Sequence, residues 1–247
     1  MGEIILRAEG LTCTVRGKAV LDGLSLRLET GRVYALLGEA GSGKTTLLRC
    51  LAGLIPAEGG SAEIGGVPVT DPASRREAGF LVDEPALWNE LSIAGNLEMQ
   101  SRILGKVDRR RMGKLMKALG ILPREAGNRR VGGSPQSIRV RTAAAMALLG
   151  APKLLLLDEV FSGLDSDDGM KLTELLRSEM ESRPMAALLT GSFLGLMWHA
   201  ATDFLLLKNG RIRGHYTKSD LIARLPEGYG AQELAALQEE LEKEGAE

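Results

Sequence analysis

The octapeptide that decides the fold is Gly38-Glu39-Ala40-Gly41-Ser42-Gly43-Lys44-Thr45, because it matches the pattern G-x-x-x-x-G-K-[ST]. A short apolar strand is predicted before it, over 32–37, and a helix with leucines along one face is predicted after it, over 44–54. In that setting, glycines allow backbone N–H groups to turn inward around phosphates, and the start of the helix favours negative charge. We therefore expect these eight residues and the next one, Thr46, to bind a nucleotide.

An acidic pair follows a run of four leucines further along the chain. The strand predicted over 154–157 places Asp158 and Glu159 at its end, where one carboxylate can hold a metal ion and the other can orient or deprotonate water. Lys44 is expected on the β- and γ-phosphates, and the Thr45 hydroxyl is expected on Mg²⁺ together with Asp158. The loop and the acidic pair thus predict a Mg-ATP site with Glu159 as a catalytic residue.

Strands alternate with helices along the rest of the chain. Strands are predicted over 4–8, 19–28, 32–37, 79–82, 154–157, 185–190, 204–207 and 211–215. Helical patterns cover 44–54, 92–120, 137–149, 166–182, 194–201 and 232–247. This alternation predicts an α/β fold with a mixed, partly parallel sheet at its core.

The composition excludes several classes of protein. Of the 247 residues, 44% are apolar and 26% are charged, which excludes disordered and fibrous chains. The 31 basic residues nearly balance the 32 acidic ones, so a globally cationic nucleic-acid binder is not expected. Cys13 and Cys50 lack metal-ligand spacing. Glycines interrupt the apolar stretch 185–207, so we expect a soluble protein that meets a membrane only through a partner.

Charge is unevenly distributed along the chain. The segment 102–141 carries twelve basic residues against two acidic ones, a local charge of +10, and the remainder carries −11. Such a segment is either a solvated helical face or a surface for an acidic partner, phosphates or anionic lipid. The last sixteen residues predict an acidic helix with leucines at 234, 237 and 241, which we interpret as a docking or dimer-rim helix.

Taken together, residues 4–215 resemble the ATP-binding subunit of an ABC transporter, a P-loop NTPase. The motifs come in the family's order: phosphate loop, Q-loop region, helical insert, signature helix, Asp158-Glu159 strand and the loop Ser162-Gly163-Leu164-Asp165. The resemblance implies an ABC-type domain over 1–226, with an N-terminal antiparallel β subdomain and a helical subdomain at about 84–150, followed by an acidic segment over 227–247.

The same resemblance implies an activity and its partners. It implies an ABC-type ATPase that uses ATP and Mg²⁺ and drives a transmembrane permease from the cytoplasmic face of the membrane. The family works as a pair of such subunits, each ATP lying between one subunit's phosphate loop and the other's signature helix. No nucleic-acid partner is implied.

Two departures from the family concern nucleotide binding and the Q-loop. Val15 stands where an aromatic residue stacks on adenine, so nucleotide binding is expected to be weaker or less base-selective. Asp83 stands where glutamine is usual, and we expect it to act in catalysis and to contact Mg²⁺. An acidic residue here resembles the bacitracin- and lantibiotic-type export ATPases.

Two further departures affect the signature and the switch histidine. Ser134-Pro135-Gln136-Ser137-Ile138 replaces L-S-G-G-Q, and Pro135 has neither a hydroxyl nor an N–H to donate. Ser134, Ser137 or Arg139 could serve as substitute donors. Phe193 occupies the histidine position, while His199 is interpreted as a structural or surface residue and His215 has no predicted partner.

This pattern predicts the degenerate half of an asymmetric pair. The chain keeps the residues that bind Mg-ATP in its own half-site and has lost those that it would contribute to a partner's. We therefore favour a heterodimer with a second ATPase subunit whose signature is intact. The alternative is a non-hydrolysing, nucleotide-sensing subunit of such a complex, whereas a GTPase is disfavoured because no N-K-x-D motif occurs.

Overall fold

An antiparallel sheet forms the N-terminal part of the molecule. The computed structural model describes residues 2–105, 108–128 and 130–244. β1 (Ile4–Val15) and β2 (Lys18–Glu29) form a long hairpin, and β4 (Gly59–Ile64) and β5 (Val67–Pro68) extend the sheet in the order β2-β1-β4-β5. β1 is longer than the predicted strand over 4–8, and β4 and β5 were missed. The sheet is the antiparallel β subdomain of the predicted fold.

A mixed six-stranded sheet forms the core, as predicted. Its order is β10-β9-β3-β8-β7-β6, and its first five strands along the chain are β3 (Val33–Leu37), β6 (Ala78–Leu81), β7 (Leu154–Leu157), β8 (Ala186–Thr190) and β9 (Asp203–Lys208), which run parallel. β10 (Arg211–Thr217) is antiparallel and follows a tight turn at Asn209 and Gly210, both at positive φ. The predicted hairpin is therefore confirmed. The parallel arrangement brings the ends of β3, β7 and β8 to one edge of the sheet.

Helices cover the sheet, and those within residues 84–150 form the helical insert. They are α1 (Lys44–Leu51), α2 (Ile93–Ile103), α3 (Arg109–Ala118), α4 (Pro123–Asn128), α5 (Gln136–Leu149), α6 (Ser166–Ser182), α7 (Leu194–Met197), α8 (Lys218–Ile222) and α9 (Ala231–Glu244). The pattern predicted over 92–120 is two helices. α2 ends before Gly105, whose φ is +87°. α3 begins after its N-cap residue Asp108, whose carboxylate accepts from the Arg111 N–H.

A buried ionic cluster ties the helical insert to α6. The guanidinium of Arg111, on α3, donates to the Glu179 carboxylate at 2.9 Å and to the Leu148 carbonyl at 2.7 Å. Arg183 binds the same carboxylate at 2.7 Å. Because the three side chains are largely buried, this cluster fixes α3 against the C-terminal end of α5 and against α6.

The C-terminal helix α9 packs on the main core. Leu234, Leu237 and Leu241 are buried in this core, so the predicted leucine stripe docks the helix on the chain itself. The last three residues of the predicted segment 227–247 lie outside the described residues. Within the described part of the chain, no helix is both long enough and apolar enough to span a bilayer.

Candidate functional site

The glycine-rich loop joins β3 to α1 and needs glycine for steric reasons. Gly41 and Gly43 have φ of +80° and +108°, values that other residues rarely adopt. A Cβ on Gly43 would lie 3.0 Å from Val20 Cγ1 and 3.1 Å from the Val20 carbonyl oxygen. Gly43 therefore lies too close to β2 for a larger residue, and the N-terminus of α1 that follows it favours an anion.

Lys44 is held inside its own loop. Its Nζ donates to the carbonyl oxygens of Gly38, at 2.6 Å, and Glu39, at 3.1 Å, and the side chain is buried. Burial lowers the pKa of the Lys44 ammonium, and the carboxylates of Glu159 and Asp158 partly offset that shift. The ammonium thus contacts the loop carbonyls and is under the electrostatic influence of the acidic pair, in a loop that would hold a phosphate.

The two predicted carboxylates are positioned by the neighbouring strand. The Thr190 hydroxyl, at the end of β8, donates to Asp158 Oδ1 at 2.5 Å and accepts from the Glu159 N–H at 2.9 Å. Ser192 Oγ donates to Glu159 Oε1 at 3.1 Å. Sequence reasoning missed Thr190 and Ser192, although their place at the end of a strand parallel to β7 and just beyond it was a usable signal.

A cavity of about 340 Å³ brings most of the predicted site residues together. It is lined by Val15, Val20, Ala40, Gly41, Gly43, Lys44, Thr45, Thr46, Glu159 and Ser192. Gly38, Glu39 and Ser42 line an adjoining cavity of about 430 Å³ that shares Ala40 and Gly41 with the first. Val15 therefore lies in the wall of the cavity, in the place where the family resemblance put an adenine-stacking aromatic.

Asp83 is a predicted site residue that is engaged outside the cavity. Its carboxylate is bound by the Arg49 guanidinium, with contacts of 2.9 and 2.5 Å from Nε and Nη2, and it does not line the cavity beside Lys44. Asp83 follows β6, and the Asp158 N–H donates to the Leu81 carbonyl at 2.7 Å, so the two aspartates follow neighbouring strands. The roles predicted for Asp83 in catalysis and at Mg²⁺ stay predictions.

The side chains near the acidic pair suit a Mg²⁺ ion shared with a nucleotide. Thr45 and Asp158 offer hydroxyl and carboxylate oxygens, which this cation prefers. Among residues 2–105, 108–128 and 130–244, no group of three or more His, Cys, Asp or Glu could hold a metal by itself. Phosphate oxygens and water would therefore have to complete the coordination shell. The buried Ser42 Oγ, which lacks a hydrogen-bond partner in the described structure, leaves the loop one further free donor.

The altered signature forms an open helix start. α5 begins at Gln136 after Pro135, and its first turn has no side-chain cap in the described structure. Of the substitute donors, Arg139 is already engaged, since its guanidinium donates to Asn89 Oδ1 at 2.9 Å. Ser134 and Ser137 are half-buried at the start of the helix.

The histidines lie away from the cavity. His199 is exposed just after α7, and Phe193, in the switch position, is 66% exposed. His215 Nε2 lies 3.0 Å from Asp203 Oδ1, so it has a partner that the sequence did not reveal. Arg32 also donates to that oxygen, at 2.7 Å. Asp203 lies at the start of β9, at the end of the sheet opposite to the phosphate loop. These contacts indicate a structural role for His215.

Comparisons with known proteins agree with this geometry. A family model described as "ABC transporter" matches residues 21–162. An uncharacterized ABC transporter ATP-binding protein of Bacillus subtilis is 28% identical over 84% of this chain and 68% of its own length. An Fe(3+) ions import ATP-binding protein of Streptomyces coelicolor is 31% identical over 93% of this chain and 67% of its own length. The chain thus spans about two thirds of these relatives.

Solved structures show the same fold. The structure of an ATP-binding subunit of an ABC transporter superposes with a TM-score of 0.82 at 23% identity and covers 95% of this chain and 99% of its own. A nucleotide-free ATP-binding cassette from an ABC transporter gives a TM-score of 0.74 at 17% identity, over 94% and 98% of the two chains. At these identities the likeness concerns architecture alone.

Proposed function

Because this chain belongs to the ABC transporter family, as one of its ATP-binding subunits, we propose that it binds Mg-ATP and couples nucleotide-driven subunit closure to a membrane-spanning permease. One observation carries this proposal. The Lys44 ammonium, held in the phosphate loop, shares a single cavity with Thr45 and Glu159. This arrangement combines a side chain that can bind phosphate, one that can bind a metal ion and a carboxylate that can orient or deprotonate water.

Each side chain of the site has a chemical task. Lys44 and the loop N–H groups bind the phosphates, and Thr45 and Asp158 hold the Mg²⁺. When bound, this ion would supply positive charge that offsets the charge on the phosphate oxygens. Glu159 orients the attacking water or accepts its proton, and the Thr190 hydroxyl keeps Asp158 in place. Val15 offers adenine an aliphatic wall without a π-face, so affinity for the base is modest.

A groove between the core and the helical insert supports coupling to the permease. It has a volume of about 390 Å³, and Leu54, Phe80, Ile103, Leu104 and Met146 contribute its apolar lining. Ile103 is 64% exposed and lies beside other exposed apolar side chains. A contiguous exposed apolar patch is unusual on a protein surface and marks an interaction site. Arg75 and Arg76 at its edge fit an amphipathic cytoplasmic segment with acidic residues. The groove is our proposed permease-docking surface, and the proposal includes a position of the chain at the cytoplasmic face of the membrane.

The altered signature favours an asymmetric pair. Pro135 opens α5 where close backbone approach to a partner's nucleotide would need donors, and Phe193 brings an exposed ring in place of a proton-carrying histidine. A homodimer would repeat both defects in both sites. A second ATPase subunit with an intact signature would complete the site of Lys44 and Glu159, while the site capped by residues 134–137 would turn ATP over poorly. The resemblance to bacitracin- and lantibiotic-type exporters rests on Asp83 and is part of this proposal.

The proposal is tested on the complex isolated from its native membrane in mild detergent. Lys44→Ala should abolish ATP binding at the site of this chain, and Glu159→Gln should retain ATP but stop its turnover. Unchanged turnover of the complex with Glu159→Gln would refute a working site at Glu159. Recovery of this ATPase as a homodimer on its permease would refute the asymmetric pair.

A non-hydrolysing, nucleotide-sensing subunit is the second candidate. The exposed Phe193 favours it, since the switch position holds no group that can donate to a phosphate. In that case the complex would hold ATP on this chain without releasing phosphate. A single-turnover measurement with radiolabelled ATP distinguishes the two functions.

A further inference from the structure

The C-terminal helix reaches the loop that follows β8. α9 presents Gln238 on the same side as the buried Leu234 and Leu241, and this side chain is half-buried against residues 192–194. Its Oε1 accepts from the Leu194 N–H at 2.7 Å, and its Nε2 donates to the Ser192 carbonyl at 2.8 Å. One side-chain amide therefore brackets Phe193 on both sides through the backbone.

The orientation of this amide is determined by its partners. The second Nε2 hydrogen of Gln238 is donated to Glu242 Oε1 at 2.9 Å. A flipped amide would place its oxygen against the Ser192 carbonyl and the Glu242 carboxylate, which are acceptors only. The bracket therefore forms in one orientation, and Glu242 on the next turn of α9 reinforces it.

The loop held by Gln238 also contacts the predicted catalytic carboxylate, that of Glu159. Ser192 Oγ donates to Glu159 Oε1 at 3.1 Å, while the Ser192 carbonyl is held by Gln238. Phe193 is two-thirds exposed and has no polar side-chain atom, so its own side chain cannot anchor the loop. Ser192 is therefore held at two points, by Gln238 through its carbonyl and by Glu159 through its hydroxyl.

We infer that Gln238 is a positioning residue for ATP hydrolysis, which acts by holding the Ser192 hydroxyl on the Glu159 carboxylate. This inference rests on the proposed function, since it assumes that Glu159 serves a working site. It assigns to α9 a role in the chemical step besides its packing. ATP binding should be insensitive to Gln238, because the phosphate loop makes its contacts without α9's amide.

The test measures turnover, ATP affinity and loop protection in the complex isolated from its native membrane. Gln238→Leu should lower kcat for ATP hydrolysis about tenfold, the effect of losing one hydrogen bond to a charged group, with KM for ATP unchanged. The backbone amide of Leu194 should exchange its hydrogen faster. Gln232→Leu, an exposed glutamine on the first turn of the same helix, is the matched control and should behave as the wild type.

Two further variants separate positioning from packing. Gln238→Glu keeps an acceptor for the Leu194 N–H but loses the donor to the Ser192 carbonyl, so it should also lower kcat even if Gln238→Leu does not assemble. Ser192→Ala should lower kcat as much as Gln238→Leu does, and the double variant should lose no more than either single one, because both act on one contact.

The outcomes decide between the inference and the function that it rests on. Additive losses in the double variant, wild-type kcat in both Gln238 variants, or unchanged exchange at Leu194 in Gln238→Leu would overturn the inference alone, provided that Glu159→Gln is inactive. Full activity of Glu159→Gln would overturn the proposed function and the inference with it.

Discussion

The guanidinium of Arg49 binds the carboxylate of Asp83 across the gap between α1 and the end of β6, with Nη2 lying 2.5 Å from Oδ1. Asp83 adopts a φ of +65°, so the backbone turns at this residue to present its carboxylate to α1. The Q-loop position is thereby linked to the helix that follows the phosphate loop. This pair provides a way to separate a structural role of Asp83 from a chemical one.

Asp83→Asn and Arg49→Met should have similar effects on stability and different effects on turnover. Both side chains are about 40% exposed, so losing the ion pair should cost less than about 1 kcal/mol of unfolding free energy in either variant. If Asp83 orients water or metal, its replacement should lower ATP turnover by about tenfold, while Arg49→Met retains most of it. Chemical denaturation and phosphate release measure the two quantities. Equal turnover losses in both variants would leave Asp83 with a structural role only.

The phosphate loop allows a matched glycine comparison. The Cβ added by Gly43→Ala would lie 3.0 Å from Val20 Cγ1, at a residue whose φ is +108°. A Cβ on Gly41, whose φ is +80°, would have no described atom within 4 Å. Gly41→Ala therefore bears only the conformational cost of about 1–2 kcal/mol. We expect Gly43→Ala to weaken ATP binding by about tenfold more than Gly41→Ala, because the clash also moves the start of α1. Equilibrium dialysis with labelled ATP checks this, and equal losses would contradict the steric argument.

Much of the fold could be predicted because its signals are local. The unit of β3, loop and α1, the buried leucines of β7 and the turn at Asn209-Gly210 each occupy one continuous stretch whose residue types dictate the backbone. β4 and β5 were missed since Gly59, Gly60 and the two-residue length of β5 hide any alternation. These strands form because β1 offers them a hydrogen-bonding edge, which is a tertiary cause.

The candidate site was predictable only in its contiguous parts. Lys44, Thr45 and Glu159 were expected in one site and share one cavity. The bracket by Gln238 joins residues 44 and 46 positions apart, and no spacing rule connects them. The partner of His215 was likewise invisible, because the pairing of β9 with β10 decides which aspartate it faces.

The proposed docking groove predicts a variant that separates binding from coupling. Ile103→Glu should reduce co-purification with the permease by at least about tenfold, since a charge would be buried in an apolar contact. ATP binding should remain, because Ile103 does not line the cavity that holds Lys44. Ile222→Glu, at an exposed apolar residue of α8 outside the groove, is the control. Retention of the permease by Ile103→Glu would exclude this surface as its docking site.

The cluster around Glu179 should make stability fall in acid. Burial alone would raise the pKa of the Glu179 carboxyl, but Arg111 and Arg183 outweigh it and hold that pKa below its usual range. Because the folded-state pKa is depressed, the stabilisation is complete well above the unfolded-state pKa of about 4.3 and is lost as the pH falls through and below that value.

The variant Glu179→Gln tests this cluster. It should lower the free energy of unfolding by about 2–3 kcal/mol at pH 7, since it leaves two largely buried guanidinium groups without their charge partner. Its stability should also depend less on pH below pH 5 than that of the wild type. Glu98→Gln breaks an exposed pair with Arg102 and should cost less than about 0.5 kcal/mol. Urea unfolding at pH 7 and pH 4 measures both, and parallel pH profiles for wild type and Glu179→Gln would refute the assignment.

The bracket of Gln238 around Phe193 also imposes an order of events while the protein is being made. Ribosomes add about 5–20 residues per second, and chains begin to fold from their N-terminal part. The phosphate loop, Glu159 and Ser192 all precede Gln238, which is added 46 residues after Ser192, an interval of roughly 2–9 seconds at that rate. On the proposed function, a nascent chain therefore contains the phosphate-loop residues, Glu159 and Ser192 for several seconds before it contains the residue that we infer to position Glu159 for hydrolysis.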